Sequence, residues 1–476
     1  MYFLEERLKK LTQVLAEAIY PVSIPVTQYR WKKTAQRGLE SADVSQWETF
    51  DATTQVWQGF RTEFWFVTDL EIPEQLDGQF VEYALETGAD GWEATNPQFF
   101  VYIDGKLVQG MDTRHRSVVL TPCAKAGDRY HLALFANTSD NDSFLMMKGQ
   151  LRGVNKAVET LYYDLKIPLE VAEMLEEGSK TRIDMVAALT GAANLLDLRK
   201  VGSESFLQSV LEATQYLKTE FYQKMCGSSE AAVDCVGHTH IDVAWLWTLS
   251  VTRDKAVRTF ATMLELMRRY PEFVFMSSQP QLYQYVKEDA PEVFEEIRQR
   301  VAEGRWEAEG AMWLEADCNI SSGESLVRQV LQGTRFFEKE FGVKNRVLWL
   351  PDVFGYSAAL PQILQKSEIP YFMTTKISWN EYNKMPYDTF KWRGIDGTEV
   401  LTHFIPATDY QPVMKTHMTT NTGNLKPAPI KGAWHRYLKK NLNDEVLFSF
   451  GYGDGGGGST AEMIENHRRL EQGIPG

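Results

Sequence analysis

Three titratable side chains alternate along Gly237-His238-Thr239-His240-Ile241-Asp242, directly after the apolar run Ala231-Ala232-Val233-Asp234-Cys235-Val236. In an extended backbone the side-chain period of two puts His238, His240 and Asp242 on one face, with neighbours roughly 7 Å apart. Imidazole and carboxylate together suit a borderline divalent ion such as Zn²⁺, whose bonds of about 2.0–2.2 Å allow an i, i+2 pair to converge on one ion. The spacing alone also arises by chance. Its setting carries more weight, because the three groups stand where a short buried strand should end, before the aromatic cluster Trp245-Leu246-Trp247. Open and barrel-shaped α/β folds build their active sites at such strand ends.

Three later segments repeat this pattern of apolar run, acid and turn. In Met312-Trp313-Leu314-Glu315-Ala316-Asp317-Cys318-Asn319 the acids Glu315 and Asp317 lie beside Trp313. They are candidate ligands or catalysts, with the alternative that Asp317 and Glu324 only cap the following helix. Val347-Leu348-Trp349-Leu350-Pro351-Asp352 precedes Val353-Phe354-Gly355-Tyr356, and Phe448-Ser449-Phe450-Gly451-Tyr452-Gly453-Asp454 precedes Gly455-Gly456-Gly457-Gly458. An acid recurring at each strand end is hard to attribute to capping alone.

The elements that must position these groups follow from periodicity. Residues 3–19 place Phe3, Leu4, Leu8, Leu11, Val14, Leu15 and Ile19 at helical spacing. Short extended runs then follow, at 56–60, 64–67, 80–85, 99–103, 117–120 and 131–136. Asp104-Gly105 before Lys106-Leu107-Val108 is a hairpin signal, so residues 51–153 are expected to form an antiparallel β-sandwich. That module either binds sugar on an aromatic face or only buttresses its neighbour. Helical patterning at 158–165, 168–177, 181–198 and 204–225 makes 154–230 a helical connector, with 1–50 a helix and extended lead-in. From 231 to 476 strands alternate with helices, which predicts a parallel sheet or barrel.

Composition bounds the chemistry. The chain has 476 residues and a net charge of −14, from 50 basic and 64 acidic side chains. With no basic run, nucleic acid and anionic membrane surfaces are unexpected partners. The N-terminus lacks the apolar core of a signal peptide and no stretch reaches the length of a membrane span, so a cytoplasmic protein is expected. Cys123, Cys226, Cys235 and Cys318 show no paired spacing and are read as reduced. Aromatic content of 12%, with 13 Trp, gives mild support for a carbohydrate ligand. Homo-oligomerisation stays open.

With the four acidic segments in hand, the chain resembles the α-mannosidases of glycoside hydrolase family 38, in their bacterial and cytosolic or vacuolar branch. The resemblance rests on His-Thr-His-Ile-Asp-x-Ala-Trp, Trp-x-Glu-x-Asp-Cys-Asn, Leu-Pro-Asp-x-Phe-Gly-Tyr and Gly-x-Gly-Asp-Gly-Gly-Gly-Gly, spread over about 235–458. It implies a barrel-like, seven-stranded α/β catalytic domain and a zinc-dependent retaining mechanism on terminal α-linked mannose of oligosaccharides. It implies zinc ligands His240, Asp242 and Asp317, with Asp317 also the nucleophile, Asp454 the acid/base, and Trp245 the platform under the sugar. Arg346 and Asp352 correspond to polar groups near the nucleophile, and His238 to a structural histidine. His403, near another strand end, reads equally as a sugar contact or as a packed core histidine.

The departure from the family lies at the end of the chain. The resemblance implies a fourth zinc ligand, a histidine in Glu-x-His-Arg-Gly-Thr-Tyr, and no such segment is present; His467 is a poor substitute. The expectation is therefore an N-terminal fragment with an incomplete α/β domain, weak zinc binding and little or no turnover. Two other readings stand beside it: a different zinc-dependent hydrolase using activated water, and a non-catalytic glycan-binding fragment.

Overall fold

The computed structural model describes residues 2–39, 43–90, 97–138, 142–227, 231–408 and 417–476. Two compact units divide the chain: Met1–Ser229 with Glu465–Gly476, and Glu230–Ile464.

In the first unit, a six-stranded antiparallel sheet runs in the order Glu48–Asp51, Gln28–Lys33, Glu63–Glu71, Arg129–Asn137, Gln98–Ile103, Lys106–Met111. A four-stranded sheet runs Val22–Val26, Lys148–Val154, Phe80–Glu86, Ser117–Thr121. Side chains from both sheets share one core, in which Phe66, Trp57, Tyr29 and Leu134 meet Tyr83 and Val118, and Tyr29 and Tyr83 join hydroxyls at 2.8 Å. The Asp104-Gly105 turn has φ of 51° and 79° at its two residues, the left-handed pair a tight hairpin demands, and pairs Ile103 with Lys106. The 56–60 run is not a strand: Trp57 alone bridges to Leu145. The polar strands at 22–33 and 48–51 escaped periodicity because they lie at or near sheet edges, where Pro25 is tolerated on the outermost strand.

The helices of this unit bury a separate core of Leu8, Leu15, Leu161, Leu165, Val186, Leu189, Phe206 and Val210. Pro168 does not divide its segment as the sequence suggests. A single helix, Lys156–Met174, runs through it with the proline buried, so burial of the apolar face outweighs the lost hydrogen bond.

In the second unit, the strands Trp306–Ala308, Phe275–Ser277, Ala232–His238 and Glu445–Phe450 form one parallel sheet in that order. A second sheet runs Val347–Leu350, Tyr371–Thr374, Glu399–Phe404, Thr389–Arg393, with only the last antiparallel. A parallel bridge from Gly310 to Leu348 links the two sheets along one edge. Along the other, Gly423 bridges to Phe450 and the Thr420 N–H donates to the Ala407 carbonyl at 3.0 Å. The helices pack by amphipathic faces; Gly323–Phe341 starts on Ser322, whose hydroxyl accepts from the Ser325 N–H, and stops at Gly342 with φ 69°. Among the described residues no helix is long and apolar enough to cross a membrane.

Close backbone approach at the strand ends depends on glycine. At Gly451, φ is 150° and an added Cβ would stand 2.1 Å from the His238 carbonyl oxygen. Gly451→Ala should therefore cost about 3 kcal/mol or more of stability. Gly304→Ala, at φ 71° with nothing within 4 Å of the new methyl, should cost about 1 kcal/mol. Chemical denaturation of both variants checks the contrast, and equal losses would contradict it.

Candidate functional site

The acid-bearing segments meet because each follows a parallel strand on the same side of the sheets. Ile241 bridges to Gly455, and Cys318 bridges to Tyr356, so 240–242 runs beside 454–455 and 317–319 beside 354–356. The Asp242 N–H donates to the Asp454 carbonyl at 2.8 Å. The glycine loop makes this possible by lying flat on the helix Leu249–Arg269, where the Gly457 N–H donates to the Thr259 hydroxyl at 2.9 Å.

His240 is 3% exposed and central. Its Nδ1 lies 3.1 and 3.0 Å from the two carboxylate oxygens of Glu315. Its Nε2 lies 3.3 Å from Asp242 Oδ1 and 3.9 Å from Asp352 Oδ2. Among the described residues, His240, Asp352 and Asp454 bring ligand atoms within 4.8 Å of one another. Lys376 caps the far oxygen of Asp352 at 2.7 Å, its ammonium 4.6 Å from the Phe354 ring centre and 4.5 Å from that of Trp379. The Asn421 side-chain amide donates to Asp454 Oδ1 at 2.7 Å.

Charge dominates this geometry. Burial pulls His240 toward its neutral form, but the carboxylates of Glu315 and Asp242 outweigh it and hold the imidazole well above its ordinary range. Burial also raises Glu315, against the opposing pull of His240, and raises Asp454, with Asp352 and Asp242 adding repulsion. Imidazole and carboxylates displaced in the same direction mean that the cluster retains protons to offset surplus negative charge, which a divalent cation would relieve. The donor set fits such an ion. One imidazole and several carboxylates suit zinc, and the ligand atoms of three of them already lie within 4.8 Å of one another.

The other sequence-derived candidates fall in different places. Asp317 is exposed, and its Oδ1 accepts from the N–H groups of Asn319 and Ile320 at 2.8 and 2.7 Å; it is outside the group of three ligand atoms. Trp245 is 53% exposed, its ring 6.1 Å from that of Trp247. His403 is mostly buried, with Nδ1 at 2.9 Å from the Thr389 hydroxyl and Nε2 without a hydrogen-bond partner; burial pulls it down to about 4. Arg346 is not brought to Asp352. It precedes the strand Val347–Leu350 and lies against Tyr371, whereas Asp352 follows the strand, roughly 20 Å along an extended chain. His238 is fully buried, accepting from the Trp349 indole N–H at 3.3 Å and donating Nδ1–H to the Met276 carbonyl at 3.1 Å. With both ring nitrogens committed, and burial pulling it down to about 3, it braces the strands and is unavailable to a metal.

Sequence reasoning missed Lys376 and Asn421. Neither carries a motif, although Lys376 follows an apolar strand through Thr374-Thr375, the place where the acids also stand. Because the Asn421 amide favours the ionised form of Asp454, Asn421→Ala should raise the Asp454 pKa further. Carboxyl ¹³C NMR titration of Asp454 checks this, and a fall would contradict it.

Residues 230–475 match the family described as glycosyl hydrolases family 38 N-terminal domain. Alpha-mannosidase G of Dictyostelium discoideum is 32% identical over 100% of this chain and 43% of its own length. Alpha-mannosidase 2C1 of Homo sapiens is 32% identical over 97% of this chain and 43% of its own length. The Alpha-mannosidase of Saccharomyces cerevisiae is 35% identical over 70% of this chain and 30% of its own. Among solved structures, an alpha-mannosidase from Enterococcus faecalis V583 aligns with a TM-score of 0.41 and 19% identity, over 51% of this chain and 27% of that one. The chain thus spans 43% of the length of the first two relatives. An N-terminal domain match covering more than half of the chain places the protein in glycosyl hydrolase family 38.

Proposed function

We propose that the protein carrying this region is a zinc-dependent, retaining exo-α-mannosidase that removes terminal α-linked mannose from oligosaccharides. The observation that carries the reading is the convergence of His240, Asp352 and Asp454 within 4.8 Å in a family 38 domain. The seven parallel strands of the second unit's two sheets are read as one barrel, continued by the Gly310–Leu348 and Gly423–Phe450 bridges, with the antiparallel strand Thr389–Arg393 outside it, and the two sheets of the first unit as a β-sandwich.

His240 and Asp242, 3.3 Å apart, would hold the ion, together with Asp317 by its place in the motif, whose carboxylate lies outside the group of His240, Asp352 and Asp454 and would turn in to complete the set. When bound, zinc would grip neighbouring sugar hydroxyls and favour the flattened, oxocarbenium-like ring. Asp317 is assigned as nucleophile from its place in Trp-x-Glu-x-Asp-Cys-Asn, and the two N–H groups on its Oδ1 fix the direction in which the carboxylate points. Its carboxylate attacks the anomeric carbon while the Asp454 proton passes to the departing glycosidic oxygen. Asp454 then takes a proton from the incoming water, whose oxygen displaces Asp317 from the sugar. Burial supports this role, because a carboxyl pushed upward keeps its proton nearer neutrality.

Trp245 and Asp352 are the proposed sugar contacts, Trp245 by its exposed indole and Asp352 through the oxygen that Lys376 leaves toward His240. His403 is a further candidate, since its buried Nε2 would gain a partner from a hydroxyl. Arg346 is withdrawn from this set by its position at the opposite strand end.

Three measurements test the reading. Asp454→Ala should lower kcat on an alkyl or sugar leaving group by about 10²–10⁴-fold, and far less on a nitrophenyl mannoside, which needs no proton. Equal losses on both would reject the acid role. Because the acid works protonated, activity should fall as pH rises through the Asp454 pKa, and Asp454→Asn should remove that alkaline limb. A fluorinated mannosyl trap should label Asp317 by mass spectrometry; labelling at another residue would reject the nucleophile.

A further inference from the structure

Glu315 is the acid in this site to which the proposed chemistry gives no task, and its surroundings define one. Its side chain is 6% exposed. One oxygen accepts from the Ser278 hydroxyl at 3.4 Å and from the Gln279 amide at 3.2 Å. Both oxygens lie against His240 Nδ1 at 3.1 and 3.0 Å. Gln279 closes the cradle from the other direction. Its Oε1 accepts from the Glu315 N–H at 3.3 Å, and its amide also donates to the Ile241 carbonyl at 3.1 Å, next to His240 itself.

The backbone is shaped around this contact. Gln279 is 4% exposed and held at φ 64° immediately before the helix Pro280–Asp289, a conformation that disfavours a residue with a Cβ and persists where the surroundings over-determine it. Gly310, at φ 136°, lets the chain pass where an added Cβ would stand 2.6 Å from the Ser278 Cβ. Segments 277–279 and 310–315 are thereby brought together beside His240.

We propose that Glu315 is the positioning residue of the metal centre, with Gln279 as its anchor: it holds the His240 proton on Nδ1 and aims Nε2 at the carboxylates of Asp242 and Asp352. A carboxylate on the distal nitrogen of a metal-ligating histidine fixes the tautomer, orients the ring and raises its basicity toward the ion. Glu315 acts from behind: its Oε1 is shared by His240, Ser278 and Gln279, and its Oε2, 3.0 Å from His240 Nδ1, makes no hydrogen bond elsewhere. The inference rests on the metal-centre reading and goes beyond it by assigning how the histidine is kept ready.

The test uses the whole chain with Co²⁺ as probe, together with ¹⁵N NMR of His240 in metal-free protein at alkaline pH, where the ring is neutral. The wild type should show the Nδ1–H tautomer and bind Co²⁺. Glu315→Ala should weaken Co²⁺ binding roughly 10- to 100-fold, and the isosteric Glu315→Gln, whose amide oxygen still accepts from Nδ1–H, should recover part of that loss. Thermal melts control for folding, and Glu315→Gln is read alone if Glu315→Ala does not fold. Wild-type Co²⁺ affinity in Glu315→Ala, or no recovery in Glu315→Gln relative to it, overturns the positioning role and leaves the metal centre standing. If Glu315→Gln is read alone, undiminished affinity in it overturns the role. A wild type that binds no Co²⁺ instead overturns the metal reading, and the tautomer then decides Glu315 by itself: Nε2–H refutes its role.

Discussion

Four carboxylates crowd one imidazole, and the second unit is organised around making that tolerable. Glu315, Asp242 and Asp352 stand 3.0, 3.3 and 3.9 Å from His240, and Asp454 completes the cluster. Like charges about 4 Å apart repel by about 4 kcal/mol even at an effective dielectric near 20. Repulsion on this scale exceeds what a single hydrogen bond returns. The relief comes from several directions: the ammonium of Lys376 on Asp352, the Asn421 amide on Asp454, the proton that the carboxylates hold on His240, and in the proposed function a divalent ion.

The scaffold meets this demand by bringing strand ends together, where backbone leaves a sheet and side chains from different segments can face one another. His238 and His240 show the division of labour along one strand. His238, locked between the Met276 carbonyl and the Trp349 indole, ties three strands together. Two residues on, His240 meets the carboxylates. The Gly451–Gly458 loop serves close approach in the same way, and Asp454 itself sits at φ 56°, a conformation uncommon for a residue with a side chain. Of the six described non-glycine residues at positive φ, Asp454 and Gln279 lie where the chemistry is proposed, conformations that persist where the surroundings over-determine them.

Much of this was legible in the sequence, for a physical reason. A parallel strand is a short apolar run, and an acid immediately after it stands at the strand end whatever the rest of the chain does, so His240, Asp242, Asp352 and Asp454 could be picked out locally. Glu315 was visible as an acid at such an end, but its partner His240 lies 75 residues away, and nothing local announces a contact of that range. Lys376 and Asn421 were missed for the same reason. Arg346, assigned through the family resemblance to the neighbourhood of the nucleophile, precedes the strand Val347–Leu350, while Asp352 follows it, so one strand separates the two. In the first unit, Pro168 misled because helix rules weigh the lost hydrogen bond and cannot see the apolar core of Leu161, Leu165 and Val186 that holds the helix together.

The central claim is that this cluster is a metal centre built on His240, and proton release on metal binding tests it most directly. Calorimetric titration of Zn²⁺ into the purified protein, repeated in buffers of different ionisation enthalpy, measures both stoichiometry and protons displaced. The account predicts one ion per chain, net proton release near neutral pH because the surrounding carboxylates hold on His240 a proton that the ion must expel, and loss of both when His240 is replaced by Ala. Binding without proton release, or binding indifferent to His240, would contradict it.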